Sequence, residues 1–190
     1  MLISYKLPFA FDADSLKADL GQIAPGEWTA HFNKGYYEGM WKGLALRSTT
    51  GRANQLSTLA QEMKEAVDTP VLARCPYFQQ VISAFQCHIH AARLLSLSPG
   101  SKIIEHKDYF MGYEEGLIRI HIPVTTDARV EFFIDNRRIV MSEGEAWYID
   151  FGLPHRVNNV SDIERVHLVV DCRVNDWIEK LIPFADGGST

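Results

Sequence analysis

The sequence predicts a mainly β protein, a sandwich or barrel with helices packed on one side. Three observations point there. From about residue 89 the apolar pattern changes from a helical period to alternation. Short apolar runs then recur at close spacing, broken by Pro-Gly and Asp-Asn turns. The helical stripes all fall earlier in the chain.

With 190 residues and 46% hydrophobic side chains, the chain suits one domain whose core needs no disulfide or metal staple. No flexible linker divides it. Residues 1–88 therefore read as a mixed helical and strand buttress to a β core over residues 89–175. The ending ADGGST, residues 185–190, reads as a disordered tail.

In SLKADLGQI, Asp14 or Ser15 stands where a cap would start a short helix ending near Gly21. EWTAHFNKGYYEGMWKGLALRS alternates enough for one or two strands, although Gly35, Gly39 and Gly43 interrupt it. NQLSTLAQEMKEAV carries Leu56, Leu59, Met63 and Val67 at helical spacing. CPYFQQVISAFQ, entered through Pro76, does the same with Phe78, Val81, Ile82 and Phe85. ARLLSLSPGSKIIEHKDY then reads as strand, turn, strand. GLIRIHIPV sets Leu117, Arg119 and His121 against Ile118, Ile120 and Ile122. RVEFFIDNRRIVM is strand, Asp-Asn turn, strand, and EGEAWYIDF and ERVHLVVDC are two more strands.

Nineteen basic against 24 acidic side chains leave a formal charge of −5, so no basic field is available to hold nucleic acid or an anionic membrane. Cys75, Cys87 and Cys172 have neither metal-binding nor redox spacing and read as free thiols of a reducing compartment. Acidic residues arrive too early for a signal peptide, and no apolar run approaches the roughly 20 residues of a membrane span. The expectation is a cytoplasmic protein.

Several polar residues sit where strand patterns expect core: His106, Asp108, Arg119, His121, His155, Arg165 and His167. In RVHLVVD, Arg165, His167, Val169 and Asp171 share one face, and Val166, Leu168 and Val170 the other. Burying an arginine is costly unless an anion meets it, so Arg119 and Arg165 point to an enclosed anionic ligand. His106 and Asp108, in HKDY, share a face if the backbone is extended. They fit either a surface ion pair or two ligands of a metal, with His155 as the third. Two imidazoles and one carboxylate on one side of an ion form the facial triad of non-haem Fe(II) oxygenases, which leaves positions open for a chelating cosubstrate and O₂. His155 follows the turn GLP and can start a strand. Arg165 is within hairpin reach of it, where its fork can hold the distal carboxylate of a 2-oxo acid. Arg119 and His121 also fit a solvent face, and His167 a hydrogen-bonded core position.

HKDY, LIRIHIPV, GEAWYIDFGLPHRVNN and ERVHLVVD together resemble the aspartyl/asparaginyl β-hydroxylase-like group of Fe(II)/2-oxoglutarate oxygenases, and are similar to bacterial free-proline hydroxylases, over about residues 90–175. The resemblance implies a double-stranded β-helix core, jelly-roll or cupin-like, with flanking helices. It implies His106, Asp108 and His155 as iron ligands and catalytic centre, and Arg165 on the C5 carboxylate of 2-oxoglutarate. His121, with Arg119 nearby, would stand beside the cosubstrate, and His167 is a further candidate contact. Arg93 and Trp147 are candidate substrate contacts, weighed against an ion pair and core packing. Fe(II), 2-oxoglutarate and O₂ follow as cofactors. The implied reaction is hydroxylation of an unactivated carbon of a free amino acid or small derivative, with succinate and CO₂ as coproducts and no nucleic-acid or membrane partner. A residue within a protein or peptide is the alternative substrate. A non-catalytic cupin-like module holding a metal or carboxylate is the alternative of another class. The animal protein hydroxylases of the group lack the triad aspartate, which Asp108 supplies here, so the small-molecule branch is nearer. His88 and His90 lie upstream of these motifs and read as strand or surface residues. His31, Tyr36, Tyr37 and Trp41 suit a substrate lid or plain aromatic packing.

Overall fold

Two antiparallel sheets carry the chain, and two apolar clusters hold them. The computed structural model describes residues 2–56 and 64–184. The strands are β1 (Ser4–Ala10), β2 (Thr29–Ala30), β3 (Tyr37–Glu38), β4 (Trp41–Ser48), β5 (Val67–Asp68), β6 (Ile89–Leu97), β7 (Lys102–His106), β8 (Leu117–Thr125), β9 (Val130–Ile134), β10 (Arg137–Ile139), β11 (Glu145–Ile149), β12 (His155–Asn159) and β13 (Arg165–Arg173). The helices are α1 (Ala13–Leu20), α2 (Pro76–Ser83) and α3 (Asp176–Leu181).

The larger sheet runs β1-β11-β8-β13-β6-β4-β2, with β5 on β4, and the smaller runs β10-β9-β12-β7-β3. Strands β6 to β13 divide equally between the sheets, as β11-β8-β13-β6 and β10-β9-β12-β7. That connectivity is a double-stranded β-helix, the jelly roll. No helix among the described residues is long and apolar enough to cross a membrane. Cys75, Cys87 and Cys172 are free thiols.

Alternation decides which cluster each side chain joins. On β13, Val166, Leu168, Val170 and Cys172 face the cluster formed with the helices, which also holds Ile118, Ile120 and Ile122 of β8. The other faces of the two sheets enclose a second cluster, with Trp41, Leu97 and Leu117 from the larger sheet and Ile103, Phe132 and Val157 from the smaller. Arg119, His121, Arg165 and His167 point into this inter-sheet space. Their strands are therefore buried on both faces, apolar outside and polar within.

The N-terminal half supplies strands as well as helices. β1, which sequence periodicity does not announce, pairs with β11. The aromatic stretch after residue 28 yields three strands rather than one or two, because the short β2 and β3 pair with different sheets. α1 begins two residues earlier than expected. Asp12 is its cap, accepting a hydrogen bond from Ser15 N at 2.7 Å, and Gly21 closes it as expected. Half of the proposed helix NQLSTLAQEMKEAV, residues 57–63, lies outside the described residues; the flanking residues 54–56 and 64–66 are not helical, and Val67 begins β5. The Pro-Gly turn joins β6 to β7 across the sheets instead of forming a hairpin. At the β9–β10 hairpin, Asp135 and Asn136 both have positive φ, as a tight two-residue turn requires. α3 was not apparent in the sequence; Asn175 caps it.

α2 starts with Pro76 and has no side-chain cap of its own. Asp19 of α1 takes that role: its buried carboxylate accepts from Phe78 N at 2.7 Å. One acceptor thus caps α2 and pins α1 to it. Asp19→Ala strands a buried amide and is expected to cost about 1–3 kcal/mol in urea unfolding. A change within 0.5 kcal/mol, roughly the noise of surface substitutions, would show that water satisfies the amide instead.

Candidate active site

The triad is assembled by three different devices. His155 opens β12 and pairs directly with His106 at the end of β7. Strict alternation from the buried Ile103 would turn His106 away. The register shifts between His155 and Val157, where two steps on β12 match three on β7. This bulge leaves Ile104 and Glu105 both exposed and returns His106 to the inside. Asp108 lies beyond the strand, not on it. Its amide donates to Phe151 O at 2.9 Å, which fixes the loop against the β11–β12 connection.

His106, Asp108 and His155 present ligand atoms within 4.8 Å of one another. His106 Nδ1 faces Ile104 O at 2.7 Å and His155 Nδ1 faces Leu153 O at 3.0 Å. Each carbonyl holds the proton on Nδ1 and leaves the Nε2 lone pair for an ion. His106 Nε2 is 3.5 Å from Asp108 Oδ1, and the two imidazole rings are 4.2 Å apart. Desolvation pushes the His155 pKa down to about 4, keeping it neutral. Burial works against a charged His106, but contact with Asp108 outweighs it and raises its pKa. Burial would raise the Asp108 pKa; Arg119 and His106 override that and hold it well below the carboxylate range. Two imidazole nitrogens and an ionised oxygen, facing one point, are a donor set for a divalent transition metal.

The triad opens on a cavity of about 440 Å³ between the sheets, which Arg93, Arg119, His121 and Arg165 also line. His121 stacks on Phe151, with ring centroids 4.8 Å apart. Arg165 is 2% exposed and, among the described residues, faces no carboxylate. Its Nη2 lies 3.0 Å from His167 Nδ1, and its Nε has no partner. Burial alone pulls its pKa down to about 9. His167 in turn lies 3.2 Å from His121 Nδ1. Burial and the charge of Arg165 keep both imidazoles neutral.

Three of the candidate contacts have protein partners of their own. Arg119 does not face free space beside the triad: its guanidinium is committed to Asp108 and Asp171. Arg93 is paired with Asp171 but still lines the cavity. Trp147 stands across from His121 on β11, donates to Glu145 at 2.9 Å, and is not part of the cavity lining. His88 and His90 are also outside it. From the N-terminal half, His31, Phe32, Tyr36 and Trp41 form an aromatic wall, with Tyr36 4.6 Å from the ring of His106 and His31 stacked on Trp41. Tyr37 braces Trp41 edge-on from outside the lining. Phe32 and Phe151 carry no recognisable signal in the sequence beyond aromatic character, and Asp171 none beyond sharing the Arg165 face of its strand.

A family model described as aspartyl/asparaginyl beta-hydroxylase matches residues 11–174. The chain belongs to this family. L-proline cis-4-hydroxylase from Rhizobium meliloti (strain 1021) is 25% identical over 174 residues, covering 90% of this chain and 61% of that protein. L-proline cis-3-hydroxylase 2 from Streptomyces sp is 24% identical over 182 residues, with 92% and 61% covered. The chain thus spans about three fifths of the length of these curated relatives. A 2OG-Fe(II) oxygenase family oxidoreductase from Burkholderia pseudomallei superposes with a TM-score of 0.55 at 16% identity, over 90% of this chain and 86% of its own. A non-heme monooxygenase solved as a nickel complex gives 0.53 at 12% identity, over 90% and 73%. These structural likenesses show the fold alone.

Asp108→Gly removes the one anionic donor. After anaerobic loading with Fe(II) and desalting, the native protein is expected to retain about one equivalent and the variant far less, by elemental analysis. Equal retention would remove Asp108 from the ligand set.

Proposed function

We propose that the chain is a 2-oxoglutarate-dependent dioxygenase that hydroxylates an unactivated carbon of a free amino acid or a close small derivative. One observation carries this reading. A converging His-Asp-His donor set and an uncompensated buried guanidinium line the same cavity. A metal-binding module needs only the first; a cosubstrate that chelates at one end and carries a carboxylate at the other needs both. The relatives named as hydroxylases of free L-proline support a free amino acid over a residue in a protein.

His106, Asp108 and His155 would hold Fe(II), which when bound supplies oxidation of a C–H bond by O₂. Arg165 would hold the C5 carboxylate of 2-oxoglutarate in a charge-assisted fork, and the anion in turn relieves its desolvation. His167 orients that fork through its contact with Nη2, and His121 passes the constraint on to the wall of the cavity. Arg93, with Nε unpartnered, is the candidate contact for a substrate carboxylate. Among the described residues that line the cavity Asp108 alone is acidic, against Arg93, Lys107, Arg119 and Arg165. Arg93 and Arg119 are already met by Asp171 and Asp108, so Arg165 and Lys107 are the charges that favour an anionic ligand. The cavity's aromatic wall excludes water from the reacting carbon and offers ring faces to a substrate ammonium.

The test is succinate release from 2-oxoglutarate by Fe(II)-loaded protein, across free amino acids, N-acylated derivatives and short peptides. Stimulation by a free amino acid, with a matching product one oxygen heavier, is expected. Stimulation by peptides alone would overturn the substrate class. Absence of any turnover in iron-replete protein would overturn the enzyme. Arg165→Ala should raise the KM for 2-oxoglutarate roughly 10- to 100-fold, the equivalent of losing about 1.5–3 kcal/mol of hydrogen bonding to a charge. An unchanged KM would place the anion elsewhere.

A further inference from the structure

Asp108 does not meet the triad unaided. Arg119 Nη1 donates to its Oδ2, while Oδ1 is the oxygen that faces His106 Nε2. Arg119 is itself gripped by Asp171: Nε to Oδ1 at 2.7 Å and Nη2 to Oδ2 at 3.2 Å. That is the two-point fork a planar guanidinium makes with a carboxylate. Asp171 Oδ2 also accepts from Arg93 Nη2, and Arg93 Nη1 donates to Leu56 O at 2.8 Å. Strand register builds the group. Asp171 and Arg119 are cross-strand partners on β13 and β8, and Arg93 pairs with Val169 on the other side of β13. Asp171 is 2% exposed.

We infer that Asp171 and Arg119 are positioning residues that turn Asp108 so that one oxygen belongs to the protein and the other is offered to the metal. The inference rests on the metal reading above. A carboxylate left free can rotate, or present both oxygens to a cation. Arg119 removes that freedom by occupying Oδ2, but only if its own long side chain is fixed, which the fork from Asp171 does. Charge requires Asp171 as well. Arg93 and Arg119 bring two positive charges toward a cation site, and Asp171 with Asp108 cancels them. Without Asp171, one carboxylate would face two guanidiniums and the incoming ion. The rival role for Asp171 is a plain staple between β13, β8 and β6, which would act on stability and leave the metal indifferent.

Co(II) titrated by calorimetry into the metal-free chain, without cosubstrate, separates these roles. Asp171→Asn is expected to weaken Co(II) binding roughly 10-fold, the lower end of the roughly 10- to 100-fold lost with a ligand's outer partner, because it acts through Arg119. In an Asp108→Ala background the same substitution should change Kd by less than about 3-fold, because the path through Asp108 is already gone. Arg119→Lys keeps the charge but cannot span both carboxylates; it should follow the same pattern and carries the test if Asp171→Asn fails to fold, as judged by thermal melting. No loss of affinity, or equal losses with and without Asp108, would overturn the inference and leave the staple. Failure of the native protein to bind Co(II) would overturn the metal reading together with it.

Discussion

Charge enclosed between two apolar sheets is the constraint on which the rest of this structure depends. A guanidinium taken out of water must be met by an anion or left at a large desolvation cost. The larger sheet carries three arginines into the inter-sheet space, on β6, β8 and β13, and they are treated differently. Arg93 and Arg119 share Asp171. Among the described residues Arg165 meets no carboxylate and leans on a neutral histidine and the ring of Phe132. Burial without a carboxylate costs stability, and the proposed anionic cosubstrate would supply the missing partner.

The same enclosure explains why the outer cluster is so uniformly apolar. β8 and β13 present their odd-numbered residues to the site and their even-numbered ones to the helices. Ile118, Ile120, Ile122, Val166, Leu168 and Val170 therefore anchor strands whose other faces carry charge. The N-terminal half serves both sides. α1 and α2 cover the outer cluster, and the stretch from His31 to Trp41 crosses to wall the cavity. Division of the chain into a buttress and a site-bearing half is thus incomplete, since the aromatic wall comes from the first half.

Much of this was legible in the sequence where chemistry and period coincide. Alternation in RVHLVVD and LIRIHIPV places Arg165, His167, Arg119 and His121 on common faces without any coordinates. Pro76 marks the start of α2, and the turn GLP marks the start of β12 at His155. Other features were not legible, for identifiable physical reasons. Ile104 and Glu105 look like ordinary alternation, so the bulge that returns His106 inward leaves no trace in residue type. Extended backbone would put Asp108 on the face of His106, yet it is held by a loop amide contact. Asp171 reads as the polar end of a strand; its role depends on which residue lies across the sheet, and register is a long-range property. The cap of α1 is Asp12 and not Asp14 or Ser15, and only packing shows that Asp19 serves the other helix.

The central claim is that two imidazoles and a carboxylate, brought together from β7, the loop after it and β12, bind one metal ion. X-ray absorption at the iron edge of anaerobically loaded protein tests it most directly. Two histidines among otherwise oxygen ligands are expected, seen as outer-shell scattering from two imidazole rings. An iron spectrum without imidazole scattering, from protein that is folded and stoichiometrically loaded, would contradict it.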